Sequence, residues 1–370
     1  MSEFSVTDIS MMSRALQLAE RGLYTTAPNP RVGCVLVRDG RIVGEGWHEF
    51  AGGPHAEVVA LEQAGEAVSG ATAYVTLEPC SHHGMTPPCS EALQRAGVAR
   101  VVAAMTDPNP LVAGQGLQQL EQAGIEVASG LLEQQAESLN PGFVLRMREQ
   151  RPFVRCKLAM SLDGRTAMAS GESQWITGEA ARHDVHHLRA RSSAIMSGIG
   201  TVLADNPSLT VRTQEGELRE KQPLRVILDP HLSTPVEARF LQQPGRSLIV
   251  TATEEAEVQE QLEQAGAEVI YLPHGTDAID LQALMVELAR REINEVLLET
   301  GAILSGAALR AGIIDELVVY MAPKLMGDNA RGLFHTPGLE NLADAVELSI
   351  SDVRAVGRDW RITATVVPQN

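Results

Sequence analysis

The feature that most constrains how this chain can fold is a set of metal-type ligands on three separate segments. His55 stands two residues before Glu57, Pro79-Cys80 follows, and a second cysteine comes at Cys89. One imidazole and two thiolates hold Zn²⁺ on three sides and leave the fourth tetrahedral position open for water. A fold that uses them must bring all three segments to one point. The stretch 55–65 reads as a helix, with apolar Val58, Val59 and Leu61 and a stop at Gly65. The stretch 73–77 reads as a buried strand, and Glu78-Pro79-Cys80 leaves it for an expected helix N-terminus. Backbone N–H groups and the helix dipole favour the thiolate there. Two blander readings use the same residues: a closed structural zinc site, or buried thiols without metal. A disulfide fits less well, because nothing in the sequence suggests an oxidising compartment.

Around these ligands the pattern alternates strands with helices. A helix is expected over 7–21, with Met12, Ala15, Leu16 and Ala19 on its apolar face and Gly22 as its stop. Residues 34–38 and 41–45 flank Asp39-Gly40, a two-residue hairpin turn. Next come a helix over 89–96, a strand over 99–105 and a helix over 116–123. The stretch 131–150 reads as a connecting helix interrupted at Pro141. A second α/β unit starts near Pro152, with strands expected at 153–159, 224–228, 248–250, 296–298, 317–321 and 362–367. The polar stretch 213–222 reads as a solvated loop. Strands alternating with helices imply sheets covered by helices, and 370 residues suffice for two domains, 1–150 and 151–370.

The formal net charge of −17 argues against a broad phosphate-backbone-binding surface, so nucleic acid is not the expected partner. Residues 1–10 are polar and partly acidic, and no apolar run approaches a membrane span. A cytoplasmic protein with no membrane partner and a small-molecule substrate is expected.

His-x-Glu followed by Pro-Cys and a second Cys is the signature of zinc deaminases. Further motifs narrow the match: Ala27-Pro-Asn-Pro30, Pro54-His-Ala-Glu57, Leu77-Glu-Pro-Cys-Ser-His82, Thr86-Pro-Pro-Cys89 and Asp107-Pro-Asn-Pro110. Most zinc deaminases use Pro-Cys-x-x-Cys, whereas this chain inserts a loop carrying His82 and His83. Later motifs are Lys157-Leu-Ala-Met-Ser-Leu-Asp-Gly164, Gln174-Trp-Ile-Thr177, Gly200-Thr-Val-Leu-Ala-Asp-Asn-Pro207, Leu209-Thr-Val-Arg212 and Asp315-Glu-Leu317. Over nearly its whole length the chain resembles the bifunctional deaminase/reductase family of riboflavin biosynthesis. The resemblance implies a cytidine-deaminase-like three-layer α/β/α domain, then a dihydrofolate-reductase-like α/β domain. It implies two steps on a phosphoribosylamino-pyrimidine: zinc-dependent loss of the 2-amino group, then reduction of the ribosyl group to ribityl by NADPH. Related reductase domains commonly pair, so a homo-oligomer, dimer or higher, is expected.

For the first step His55, Cys80 and Cys89 are the expected zinc ligands and Glu57 the proton carrier. Asn29, His48 and His82 are the implied substrate contacts. A fourth-ligand role for His82 or His83 would close the metal site, but both lie awkwardly near Cys80. The family usually has Lys or Arg where this chain has Met85, and Lys157 of the second unit is a candidate substitute for pairing with substrate phosphate. For the second step no G-x-G-x-x-G follows a strand, and Gly44-Glu-Gly46 reads as structural. The candidate phosphate cradle is Gly301, Ala302, Ile303, Leu304, Ser305, Gly306 and Ala307, after an expected strand. By resemblance Ala159, Trp175, Thr201, Asp205 and Pro230 also line the cofactor site, and Ser173, Arg189, Leu209, Arg212 and Glu299 contact substrate. Arg189 has an alternative as a solvated helix-face charge, and Trp175 as core. Thr300 and Ala302 depart from the family's Glu-x-Gly-Pro but leave the glycine. Asp205 is a proton donor only if near the nicotinamide, and Glu299 only if burial raises its pKa.

Two other functions share these motifs. One is a deaminase for nucleosides or RNA whose second domain binds a nucleotide without reducing anything. The other is a structural zinc protein with a nucleotide-sensing module.

Overall fold

The computed structural model describes residues 4–81, 87–110, 112–275 and 277–367. The chain divides into two compact units, Met1–Gln150 and Arg151–Asn370. Among the described residues no helix is long and apolar enough to cross a membrane.

The first unit is a five-stranded sheet in the order Arg41–Trp47, Gly33–Arg38, Thr72–Val75, Arg100–Ala103, Glu126–Ser129. Its first two pairings are antiparallel and the rest parallel. Asp39 and Gly40 both lie in the left-handed region (φ 50° and 72°), as a two-residue hairpin turn needs. Strand alternation sorts the core into two layers. Cys34, Leu36, Ala73, Val75 and Val101 face helices Ala56–Ala64, Cys89–Arg95 and Gln115–Gln122. Val35, Val37, Tyr74 and Val102 face helices Val6–Ala19, Glu133–Leu139 and Pro141–Glu149. The result is a three-layer α/β/α sandwich.

Several expectations shift in detail. Leu18 rather than Leu16 is buried on the first helix. The 131–150 stretch is not a free connector. It forms two helices with Pro141 opening the second, and Leu131, Ala136 and Val144 belong to the first unit's core. Gly44 and Gly46 are structural: a Cβ at either would stand 2.2 Å from Ala60 O or 2.4 Å from Ala56 O. Only glycine lets the helix that follows His55 lie flush on that strand.

The second unit is a nine-stranded sheet. Its order is Ala267–Tyr271, Ser247–Thr251, Leu224–Leu228, Ala194–Gly198, Glu295–Glu299, Phe153–Ser161, Glu316–Ala322, Asp359–Val366, Leu348–Val356. The first seven run parallel, and the last two close it as an antiparallel hairpin. Helices Leu281–Arg290 and Ala302–Arg310 pack on one face around Val154, Cys156, Met196 and Leu298. Helix Ala256–Gln264 packs on the other face with Ile195, Ile227 and Ile249, and helix Glu179–Arg191 with Leu297 and Val318. In parallel sheets ligand crevices open beyond the carboxyl ends of the strands. Those ends here are the segments after Gly198, Leu228 and Glu299.

Candidate active sites

In the first unit His55 is the N-cap residue of helix Ala56–Ala64, so its side chain leaves the helix start while Glu57 sits in the first turn. Cys89 opens helix Cys89–Arg95. Cys80, expected at a helix N-terminus, lies with Ser81 outside any helix. It still receives a helix-start donor, because Cys89 N–H donates to Cys80 Sγ at 3.3 Å. His55 Nδ1 is 3.2 Å from Cys89 Sγ and 3.6 Å from Cys80 Sγ, and the three ligand atoms lie within 4.8 Å of one another. All four cysteines are free.

The donor set fits a cation. A hydrogen bond from Cys89, aided by His55, brings the Cys80 thiol down to about 4. The same bond and burial push Cys89 far up. Two thiolates at this spacing therefore require a positive charge between them and His55, and Zn²⁺ supplies it. Glu57, 3% exposed, stands against the cluster. Burial pushes its carboxyl up to about 7, with His55 pulling the other way.

Two implied substrate residues are neighbours of this cluster. The His48 ring lies edge-on to His55, centroids 5.7 Å apart. Its Nδ1 faces Pro54 O at 2.9 Å and its Nε2 faces Asn29 Nδ2 at 3.1 Å. A carbonyl only accepts, so Nδ1 carries the hydrogen and Nε2 accepts from the Asn29 amide. His82, His83 and Met85 lie outside the described residues.

In the second unit strand Glu295–Glu299 is the organising element. Glu299 pairs in register with Lys157 on Phe153–Ser161. Arg189, from helix Glu179–Arg191, donates to both Glu299 oxygens at 2.6 and 3.0 Å and to Thr210 O at 2.9 Å. Arg189 is thus no solvated helix-face charge, and its Nε–Nη2 fork is turned onto Glu299. Burial would raise the Glu299 carboxyl, but Arg189 and Lys157 outweigh it and hold it below its ordinary value. The condition for Glu299 as proton donor is therefore not met. Burial lowers Lys157, with Glu299 opposing.

The candidate cofactor segments cluster at neighbouring strand ends. Gly198 backs onto Leu304 and Thr300, so the helix Ile199–Asp205, which carries Thr201, starts beside the helix Ala302–Arg310. Gly200 and Gly301 have open space where a side chain would be. This bare backbone, together with the first-turn N–H groups of Ala302, Ile303 and Leu304, suits the close approach of a phosphate. Ser305, Gly306 and Ala307 lie deeper in the helix, Ser305 and Gly306 are buried, and a Cβ at Gly306 would meet His335 O at 2.1 Å. The open cradle is thus shorter than the expected seven residues. Trp175 is 63% exposed, which removes its core alternative, and Arg182 stacks over its ring at 4.7 Å. Asp205 accepts from Gln174 Nε2 at 2.9 Å. Pro230 follows strand Leu224–Leu228, and Ala159 O accepts from Thr166.

Ser173 is half-buried beside these residues in sequence. Leu209 does not offer its side chain: at φ 49° it turns that side chain into the core, beside Ile195 and Val202. Arg212 lines a cavity of about 250 Å³ with His183, His186, His187, Thr213 and Arg219. Its N–H donates to His186 Nδ1, and burial with Arg189 lowers His186 to about 4. The sequence reading named none of these histidines; their helical spacing beside Arg189 was the available signal.

Comparisons with known proteins identify the family. The family model described as the cytidine and deoxycytidylate deaminase zinc-binding region matches residues 5–105, and the RibD C-terminal domain model matches residues 152–362. The riboflavin biosynthesis protein RibD of Escherichia coli K12 is 53% identical over 358 residues, covering 94% of this chain and 96% of that protein. The RibD protein of Haemophilus influenzae is 52% identical over 375 residues, covering 99% of each. Among solved structures, Acinetobacter baumannii RibD matches with TM-score 0.91 and 47% identity over 98% of this chain and 99% of that one. A diaminohydroxyphosphoribosylaminopyrimidine deaminase/5-amino-6-(5-phosphoribosylamino)uracil reductase from Thermotoga maritima matches with TM-score 0.86 and 36% identity, over 98% and 99%.

Proposed function

Because the chain belongs to the bifunctional deaminase/reductase family of riboflavin biosynthesis, and joins a zinc-type deaminase to an NADPH-type reductase, we propose the following division of labour. Residues 1–150 deaminate 2,5-diamino-6-(5-phosphoribosylamino)pyrimidin-4-one to the uracil, and residues 151–370 reduce its ribosyl group to ribityl. The observation that carries the first half is the convergence of His55 Nδ1, Cys80 Sγ and Cys89 Sγ beside buried Glu57.

His55, Cys80 and Cys89 would hold the zinc, which would supply the Lewis acidity that makes water a nucleophile near neutral pH. Glu57 takes one proton from the attacking water and delivers it to the ring nitrogen, then takes the remaining hydroxyl proton and passes it to the amine, which leaves as ammonia as the carbonyl forms. Asn29 meets the pyrimidine and His48 backs it.

In the second unit Gly301 to Leu304 and Gly200 would hold the NADPH phosphates, and Ala159, Trp175, Thr201, Asp205 and Pro230 would line the rest of the cofactor site. NADPH supplies the hydride. Glu299 stays a carboxylate, orients Lys157 and the substrate, and keeps Arg189 in place. Lys157 donates the proton that balances hydride addition at the sugar C1. Ser173, Arg212 and the Leu209 backbone hold the remaining substrate groups.

The chain works on a small molecule in the cytoplasm, where Cys80 and Cys89 stay reduced, and its acidic charge disfavours nucleic acid. Its second unit pairs with another copy through the outer hairpin, whose Leu348, Ile350, Val353 and Trp360 are exposed. Sedimentation showing only monomer would refute the pairing.

Mass spectrometry of products tests the whole scheme. Deamination adds about one mass unit and reduction about two more. A gain of about three with NADPH and about one without it is expected from this chemistry. A gain of one in both cases removes the reductase assignment, and no gain with zinc bound removes the deaminase assignment.

A further inference from the structure

Glu78 stands two residues before the ligand Cys80, yet its carboxylate is committed elsewhere. It is 5% exposed. One oxygen accepts from the N–H groups of Asp107 (3.0 Å) and Gly114 (2.8 Å), the other from Gly116 (2.8 Å) and Leu117 (3.3 Å). The last two donors belong to the first turn of helix Gln115–Gln122. That helix has no capping side chain of its own, since its N-cap is Gly114 at φ 80°. Glu78 therefore caps it from a distant segment.

The capped helix reaches back to the metal ligands. Its Gln119 Oε1 accepts from Ser90 Oγ at 2.7 Å. Ser90 N–H donates to Cys80 O at 3.2 Å, and Ser90 Oγ, its one hydrogen turned to Gln119, stands 3.0 Å from the same carbonyl. At the helix start a Cβ on Gly116 would stand 1.9 Å from Pro79 O, so the helix rides on the peptide that carries Cys80 without slack. Glu78, the helix, Gln119, Ser90 and Cys80 close a ring.

We propose that Glu78 is a positioning residue of the zinc centre: by clamping the backbone at Asp107 and at Gly114, Gly116 and Leu117 it fixes where Cys80 Sγ stands relative to His55 and Cys89. The proposal rests on His55, Cys80 and Cys89 being the zinc ligands. A carboxylate suits four N–H donors because both oxygens only accept, whereas an amide turns its NH₂ against one pair of them. With both oxygens committed, Glu78 takes no part in proton transfer.

The test uses full-length Glu78→Gln and Ser90→Ala proteins, with Co²⁺ as a spectroscopic substitute for zinc. Loss of outer-shell support typically weakens metal binding about 10–100-fold. Glu78→Gln should show a loss of that order, shifted visible Co²⁺ bands, and a lower deamination kcat at near-constant KM. Its reductase rate, set in the other unit, should be unchanged. Ser90→Ala should shift the bands the same way by less. Wild-type affinity and spectrum in Glu78→Gln, even with a lower melting temperature, overturn the proposal and leave Glu78 as a mere structural cap. If Glu78→Gln does not fold, Ser90→Ala decides, and an unchanged spectrum there overturns it too. If wild type binds no Co²⁺, or His55→Ala binds it as tightly, the zinc reading has failed rather than the role of Glu78.

Discussion

Glu299→Gln should damage the second unit more than removal of both members of its ion pair. The Arg189 and Glu299 side chains keep 17% and 12% exposure and share two hydrogen bonds. Removing one partner of a buried pair leaves the other charge uncompensated and costs about 3–5 kcal/mol. The residual exposure argues for the lower end, while Lys157 beside Glu299 leaves a second cation unbalanced, so about 3 kcal/mol is the working figure. For a unit of this size that corresponds to a melting shift of roughly 6–12 °C. Calorimetry of the whole chain would report it, with the second unit's transition identified by its upward shift with NADPH. Arg189→Met should cost a similar amount, and the double variant less than the sum, because Arg189 is then not stranded and Lys157 alone is left unbalanced. A shift of under about 2 °C in Glu299→Gln, or strict additivity in the double variant, would refute the claim that these two groups act as one buried pair.

Glu57→Ala should keep its zinc, measured by metal analysis, and lose deamination about 10²–10⁴-fold; retained turnover would remove Glu57 from proton transfer. A chelator should stop deamination and leave NADPH oxidation on the deaminated substrate intact, so loss of both rates would contradict separate sites. Burial would raise the Asp8 carboxyl, but hydrogen bonds from Ser5, Tyr74 and Arg100 outweigh it and hold it well below its ordinary value. That stabilisation is present above about pH 4 and is lost as pH falls through the depressed pKa. Asp8→Asn should therefore cost about 2 kcal/mol near pH 6 and less near pH 3, read as urea midpoints; an equal cost at both pH values refutes the assignment.

The metal centre was legible because its chemistry is written in side-chain types and their order. Glu78 was not, because all four of its partners are backbone N–H groups, which leave no mark in a sequence. Arg189 is an implied substrate contact in the sequence, and the structure gives its guanidinium to Glu299. Its fork meets Glu299, which only the parallel pairing of distant strands brings near. Leu209 could be named but not aimed, since its left-handed backbone decides where the side chain goes. Strands rich in Val, Ile and Leu, such as Leu224–Leu228, were readable. The strand Ala194–Gly198, of the same length, was not, because Ser192-Ser193 precede it and Ala194, Ser197 and Gly198 dilute its apolar run. Leu348–Val356 is exposed almost throughout, and its Leu348-Ser-Ile-Ser alternation breaks at the register shift between Ile350 and Asp352, which leaves too short a run to mark a strand.

The pairing of His48 with Asn29 reaches further than the contact itself. Pro54 O fixes which ring nitrogen of His48 holds the hydrogen, and His48 in turn fixes which way the Asn29 amide faces. With one N–H spent on His48, Asn29 keeps its oxygen and one further N–H; on the proposed reading, a pyrimidine edge that meets the oxygen must bring a hydrogen to give. An analogue with only lone pairs on that edge would set oxygen against lone pair and be turned away. Recognition at that point is a choice of polarity, made before any ligand arrives by a proline carbonyl that can only accept.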